Sequence, residues 1–121
     1  MCLTINQDIH PSAGSKIAER DILVWKVLYS GDNVFRSLYQ NFYYIPHTKY
    51  KARLTFQTVD TISRGLHAYR SRKQARLIAT GGYPRANVVK FTIPKGARYF
   101  IGLQDDIVSN EIISGDLNHC R

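Results

Sequence analysis

Residues 86–93 read Ala-Asn-Val-Val-Lys-Phe-Thr-Ile, and residues 94–96 continue Pro-Lys-Gly. The first run is rich in β-branched and aromatic residues and the second is typical of a turn, so together they predict a strand that ends at a chain reversal. Residues 97–103, Ala-Arg-Tyr-Phe-Ile-Gly-Leu, have strand composition again. We therefore predict a β-hairpin at this point and a sheet that extends from it.

Further strands are predicted on both sides of this hairpin. Residues 22–30 are almost continuously apolar or aromatic and precede a Gly-Asp-Asn turn, which indicates a buried strand. Residues 49–56 alternate between apolar side chains and basic or polar ones, which predicts a half-buried strand with a basic outer face. Residues 65–70 and 110–114 are shorter segments of strand character.

One helix is predicted, at residues 71–80. Ser71 with Gln74 three residues later fits a capping box. Gly81 fits the left-handed residue that often ends a helix. Ala75, Ile78 and Ala79 would form the packing face.

These elements predict a small α+β domain, a mostly antiparallel, twisted β-sheet with one main α-helix at about residues 71–80. A chain of 121 residues is one domain. We place it at residues 21–115, between an irregular N-terminal segment at residues 1–20 and a tail at residues 116–121. The expected core side chains are Leu23, Trp25, Val27, Leu54, Leu66, Ile78, Val89, Phe91, Ile93 and Phe100.

Positive charge is concentrated in one part of the chain. The net charge is +8, but residues 49–98 hold twelve basic residues against Asp60 alone, so this part is +11 and the remainder −3. A one-signed surface of this size attracts anions such as nucleic acids, phosphorylated small molecules or acidic proteins. The alternative is a solvated basic face without a ligand.

The sequence predicts a cytoplasmic protein without a membrane segment. No apolar run approaches the ~18–20 residues of a membrane span, and the N-terminal residues lack the pattern of a secretory signal. Cys2 and Cys120 are too few for a disulfide framework and do not form a Cys-x-x-Cys pair. We expect reduced thiols and neither a metal nor another cofactor.

Three local patterns occur together: Tyr-Gln-Asn-Phe-Tyr-Tyr at residues 39–44, Gly-Leu-His-Ala-Tyr at residues 65–69 before the helix, and Ile-Pro-Lys-Gly-Ala-Arg-Tyr at residues 93–99. Over about residues 20–114 the chain resembles a family of small uncharacterised proteins of phages, prophages and gut bacteria. Leu66 stands where that family usually has an aromatic residue. The resemblance implies a phage-encoded accessory protein, active against host defence in the host cytoplasm. It brings no known activity or catalytic residues.

No motif assembles a catalytic centre. The paired carboxylates at residues 105–106 are typical of a turn, and neither a Gly-x-Ser-x-Gly elbow nor a phosphate-binding loop is present. Ser109-x-Glu111 is weakly similar to the end of some ADP-ribosyltransferase domains. Those enzymes need Arg or His on the first strand, where this chain has Lys26 and Tyr29. We therefore expect a protein that is not an enzyme.

Aromatic residues beside cations form the predicted binding site, because rings stack on nucleobases while cationic groups hold phosphates. The helix start at Ser71 adds free backbone amides and the positive end of a dipole. The predicted ligand-binding residues are Arg70, Arg72, Lys73, Tyr69, His67, Lys51, Arg53 and Arg98, and the predicted stacking residues are Tyr43, Tyr44 and Tyr83. The alternative is that His67 and about half of the tyrosines are structural.

The leading hypothesis is a non-catalytic protein that binds and sequesters a phosphorylated nucleotide or a nucleotide-derived signal. Two alternatives remain open, a nucleic-acid-binding accessory protein and an anti-CRISPR-like inhibitor that docks on a host defence protein. Salt dependence separates nucleotide binding from nucleic-acid binding. A nucleic-acid binder should lose affinity steeply with salt, because every phosphate neutralised on duplex DNA releases about 0.9 counterion. The aromatic run and edge strands also predict a homo-oligomer.

Overall fold

The computed structural model describes residues 2–31, 34–37, 43–81 and 86–117. It is 12% helical and 49% strand, with one helix and antiparallel sheets, which confirms the predicted α+β class. In chain order the elements are β1 (Leu3–Thr4), β2 (Lys16–Ile17), β3 (Ile22–Gly31), β4 (Val34–Ser37), β5 (Tyr43–Tyr44), β6 (Lys49–Lys51), β7 (Thr55–Phe56), β8 (Thr61–Arg64), β9 (Leu66–Tyr69), α1 (Arg72–Thr80), β10 (Ala86–Ile93), β11 (Arg98–Ile101), β12 (Asp106–Ser109) and β13 (Glu111–Ser114).

The strands form a large sheet and a small one. The large sheet has the order β2-β11-β12-β9-β3-β10-β13-β6, and β4 and β5 extend from β3. The small sheet has the order β1-β8-β7. The longest pairing joins β3 and β10, from Ile22 opposite Ile93 to Tyr29 opposite Ala86.

The predicted hairpin between residues 86–93 and 97–103 is wrong. The turn forms, since the Ala97 N–H donates to the Pro94 carbonyl at 3.1 Å, but β10 pairs with β3 and β13 while β11 pairs with β12 and β2. Ala18 explains the divergence, because its N–H donates to the Ala97 carbonyl and its carbonyl accepts the Gly96 N–H, both at 2.8 Å. These bonds direct β11 to the side of β2.

The predicted strand at residues 49–56 is two strands in different sheets. β6 lies at one edge of the large sheet and β7 at one edge of the small sheet, with residues 52–54 between them. The Ala52 N–H donates to the Asn110 carbonyl at 2.9 Å, beyond the register of β6 with β13. The chain therefore passes from the large sheet to the small one at residues 52–54, although the alternation of apolar and polar side chains continues through them.

The segment at residues 1–20, predicted to be irregular, contributes strands β1 and β2. β1 pairs with β8 and β2 pairs with β11. Leu3 and Ile5 are buried with Ile62, Phe100 and Val108 between the small and the large sheet. The N-terminal segment therefore contributes buried side chains to the core, among them Leu3, Ile5 and Ala18. Within the predicted tail, Leu117 is also buried.

The core lies on both faces of β3. Val24 and Leu28 face the main cluster, whereas Val27 and the partly buried Trp25 face the side covered by α1. Leu23 was predicted to be buried but is 45% exposed, because it lies outside the cluster that α1 covers. Of the other predicted core residues, Val27, Leu66, Val89, Phe91, Ile93 and Phe100 are buried, and Trp25, Leu54 and Ile78 are partly buried.

The helix begins as the sequence predicts and ends differently. Ser71 is extended, and its hydroxyl accepts the Gln74 N–H at 3.1 Å, which confirms the N-cap. Ala75 is fully buried, with Ile78 and Ala79 packed beside it. Gly81 has φ −84°, so the predicted left-handed ending is wrong. Its N–H instead donates to the Ile78 carbonyl at 3.2 Å, which tightens the last turn.

Replacing Ser71 by alanine should lower the free energy of unfolding by about 0.5–2 kcal/mol. The change leaves the Gln74 N–H, one of the orphan amides of the first turn, without its side-chain acceptor. Urea unfolding measures the difference. A Ser71→Asp variant, which can still cap, should recover most of the loss, and a variant curve identical to wild type for Ser71→Ala would contradict the cap.

Candidate functional site

A groove of about 480 Å³ brings together three of the predicted ligand-binding residues. We call it the cationic groove. It is lined by Lys51, Ala52, Arg53, Leu54, Arg98, Asn110 and Glu111. Lys51, Arg53 and Arg98 come from the end of β6, from the loop after it and from the first residue of β11. Neither charge nor spacing in the sequence indicated that these three cations meet.

Asn110 holds the parts of the groove together. Its side-chain oxygen accepts the Arg98 N–H at 2.9 Å, and its own N–H donates to the Arg98 carbonyl at 3.1 Å. Its carbonyl accepts the Ala52 N–H at 2.9 Å. Because one residue bonds both segments, Arg98 and the chain beside Arg53 are positioned together.

The charges of the groove are unevenly compensated. Lys51 Nζ lies 3.5 Å from Glu111 Oε1, and Arg98 Nη1 donates to Ser15 Oγ at 3.2 Å. Arg53 is exposed. Three cationic side chains therefore face one carboxylate, which leaves the lining positive.

The residues of the phosphate subsite predicted at the helix start form a second group, at the start of α1. We call Tyr69, Arg70, Arg72 and Lys73 the helix-start cluster. Arg70 and Lys73 are exposed, and Arg72 is partly buried with its Nε inaccessible to solvent. Tyr69 is 8% exposed and packs with Val27, Ala75 and Val88, so its ring is not available for the ligand contact that we predicted.

The two groups lie at opposite ends of β9. Leu66 is opposite Ser109, next to the groove residue Asn110, whereas Tyr69 is opposite Asp106. Three residues of extended strand separate these ends by about 10 Å. The predicted binding residues thus divide into two separate surfaces.

The predicted stacking tyrosines have different environments. Tyr43 is 53% exposed, so its ring remains accessible. Tyr44 is 5% exposed and makes edge contacts to Tyr50 and Phe91, with ring centroids 5.0 and 5.2 Å away. The prediction that Tyr44 stacks on a ligand is therefore wrong. Burial raises the pKa of Tyr44. Tyr83 lies outside the described residues.

His67, the remaining predicted binding residue, is partly buried on β9. Both of its ring nitrogens are inaccessible to solvent, and within the described part of the chain neither makes a hydrogen bond. Burial is the main cause that lowers the pKa of His67 from 6.5 to about 4, and the charge of Lys26 is the next. The Ser63 backbone opposes this shift, although it does not form a hydrogen bond with the ring. A neutral, enclosed imidazole of this kind does not hold a phosphate.

Lys26 was not among the predicted site residues, although it is the most unusual charged group in the core. It is 7% exposed, and its ammonium donates to the His67 carbonyl. Nζ lies 5.3 Å from the ring centre of Tyr44 and 5.9 Å from that of Phe91. Burial lowers its pKa from 10.5 to about 8. Its position inside an apolar run was the only signal in the sequence.

The described ranges contain no cluster of three or more potential metal ligands. In the same ranges no helix has the length and apolarity to cross a membrane. The chain matches no protein-family model, and no curated protein or solved structure is significantly similar to it. The resemblance to the phage and prophage family therefore stays a prediction.

Proposed function

We propose that this protein binds a phosphorylated nucleotide, or a signal derived from one, in the cationic groove without transforming it. The observation that carries the proposal is the meeting of Lys51, Arg53 and Arg98 in one groove from separate parts of the chain. Guanidinium and ammonium groups are the side chains that hold phosphate oxygens by charge-assisted hydrogen bonds. The volume of about 480 Å³ is in the range of small-molecule sites.

The same proposal includes a biological role. The protein would be a phage-type accessory protein that sequesters a signal of the host defence. This role is supported by the sequence resemblance alone. A protein that binds such a signal in the groove would lower its free concentration by holding it. Docking on a host protein remains the alternative in which the basic surface contacts an acidic partner.

Nucleic-acid binding is the second candidate function, favoured by the exposed cations outside the groove. Arg70 and Lys73 at the helix start, with Lys90 and Lys95, are exposed beyond the groove lining. A backbone-binding surface of this kind would lose affinity steeply as salt increases, because every contacted phosphate releases counterions. A groove with two or three phosphate contacts would lose much less.

Replacing Arg53 by alanine should weaken the binding of adenosine diphosphate about ten- to a hundredfold. A charge-assisted hydrogen bond contributes about 1.5–3 kcal/mol, and 1.4 kcal/mol corresponds to about one decade of affinity. Isothermal titration calorimetry at two salt concentrations measures the change, with random single-stranded DNA as the competing probe. The free energy of unfolding should hardly change, because Arg53 is exposed.

Arg76→Ala is the matched control, since it removes the same charge from an exposed position of α1. It should leave the affinity within about twofold of wild type. Arg70→Ala tests the helix-start cluster: a loss there without a loss in Arg53→Ala would move the site away from the groove. Tight DNA binding with a steep salt slope and no nucleotide binding would replace the proposal with its alternative.

A further inference from the structure

Among the described residues that line the cationic groove, Glu111 is the one carboxylate. Its side chain is 23% exposed, whereas that of its partner Lys51 is 72% exposed. Its backbone is fixed at both sides, because its carbonyl accepts the Ser109 hydroxyl at 2.8 Å and the residue pairs with Lys51 across β13 and β6. These bonds position the backbone of Glu111 beside the groove, and the lysine end of the ion pair is the more exposed one.

A carboxylate in its lining changes what a cationic groove accepts. An ionised carboxylate only accepts hydrogen bonds, and it repels a second anion. Beside it, Asn110 uses its side-chain oxygen for the Arg98 N–H, which leaves its NH₂ group as a donor. The lining thus offers cations and an amide donor to an anionic group, and one acceptor to a group that carries O–H or N–H.

We infer that Glu111 determines specificity, by accepting hydrogen bonds from the sugar hydroxyls of a nucleoside phosphate whose phosphates lie against Arg53 and Arg98. This inference rests on the proposed function and names the ligand class of that groove. Acidic side chains perform this task in dinucleotide sites, where a carboxylate binds the ribose hydroxyl while other groups hold the phosphates. An inorganic polyphosphate has no sugar hydroxyl, so its interaction with the Glu111 carboxylate is only repulsive.

The test compares three probes on wild type and Glu111→Gln. These are adenosine diphosphate, its 2′,3′-dideoxy form and inorganic pyrophosphate. Wild type should bind the diphosphate about tenfold more tightly than the dideoxy form, and the variant should reduce this ratio to less than about threefold. Pyrophosphate should bind the variant about three- to tenfold more tightly than wild type, since the repelling charge is gone.

Glu19→Gln is the matched control, because it makes the same change at an exposed residue outside the groove. Glu111→Asp keeps the charge with a shorter reach, so it should lose the hydroxyl preference and keep the weak pyrophosphate binding. A thermal melt of each variant checks that it is folded, and Glu111→Asp carries the test if Glu111→Gln is not.

Two failures are distinguishable. If wild type binds all three probes and the dideoxy penalty is the same in Glu111→Gln, the inference is overturned while groove binding stands. If wild type binds none of the probes at millimolar concentration, the proposed function itself fails and takes the inference with it. An absent dideoxy penalty in wild type also overturns the inference, because no hydroxyl then contributes to binding.

Discussion

Phe91→Ala should lower the free energy of unfolding by about 3–5 kcal/mol, the usual cost of emptying a buried aromatic site. Phe91 is fully buried in the main cluster and meets the Tyr44 ring edge-on, with centroids 5.2 Å apart. It also lies 5.9 Å from the Lys26 ammonium, which loses one of its two ring partners in the variant. Urea denaturation with a linear extrapolation measures the loss.

The matched control is Phe56→Ala, which deletes the same atoms from a side chain that is 45% exposed. The loss should be clearly smaller there, because much of that ring already contacts water. A loss below about 1 kcal/mol for Phe91→Ala would contradict the register of β10, in which Val89, Phe91 and Ile93 all face the main cluster.

The protein should lose stability as the pH falls from about 6.5 toward 4. Burial lowers the pKa of His67 from 6.5 to about 4, and burial also lowers the pKa of His10. Because both pKa values are lower in the folded state, the unfolded chain takes up protons first. Their contribution is complete above about pH 6.5 and decreases below it. The shift of His67 alone corresponds to about 3 kcal/mol, at about 1.36 kcal/mol per pKa unit.

Geometry explains why His10 must be neutral. Its Nε2 accepts the Ile101 N–H at 2.8 Å, so Nδ1 carries the proton and donates to the Gly14 carbonyl at 2.9 Å. A proton on Nε2 would place two donors against each other. Burial raises the pKa of Asp106, which partly offsets the loss at the acid end, because the folded state then binds that proton first.

Urea unfolding at a series of pH values between 4 and 8 measures the loss. His67→Leu should flatten the curve and should be neutral or stabilising near pH 5, since the ring nitrogens bond nothing in the described chain. His10→Leu should destabilise at every pH, because it leaves the Ile101 N–H without its acceptor. Equal pH slopes for wild type and His67→Leu would contradict the assigned role of His67.

Local pattern was sufficient for the longest elements, whereas it did not predict β1, β2, β8 or β12. The composition of residues 86–93 predicts β10 with its observed bounds, and Ser71 with the apolar positions after it predicts the start of α1. These signals depend on side chains within one turn or one strand, where capping bonds and apolar periodicity act. The α+β class follows from the same signals.

The binding residues were only partly predictable, since charge indicates attraction for anions without indicating where cations meet. Charge predicts Lys51, Arg53 and Arg98 as ligand-binding residues, but it equally predicts the helix-start cluster, which lies about 10 Å away along β9. Nothing in the sequence pattern around Glu111 indicates that this carboxylate lies beside those cations. Aromatic character also predicts Tyr69 and Tyr44 as contacts for a ligand. It does not indicate whether a ring is exposed, and both of these rings are buried.

The amino-acid sequence by itself determined the two long strands β3 and β10, where the helix begins and that the chain is strongly basic, because these depend on near neighbours and on composition. Only the tertiary structure decided the pairing: that β11 leaves β10 for β2 and β12, and that residues 49–56 divide between two sheets. Pairing follows from contacts among residues far apart in the chain, such as Ala18 with Ala97 and Ala52 with Asn110. The same distant contacts assemble the cationic groove, so its geometry follows from pairing and not from any local motif.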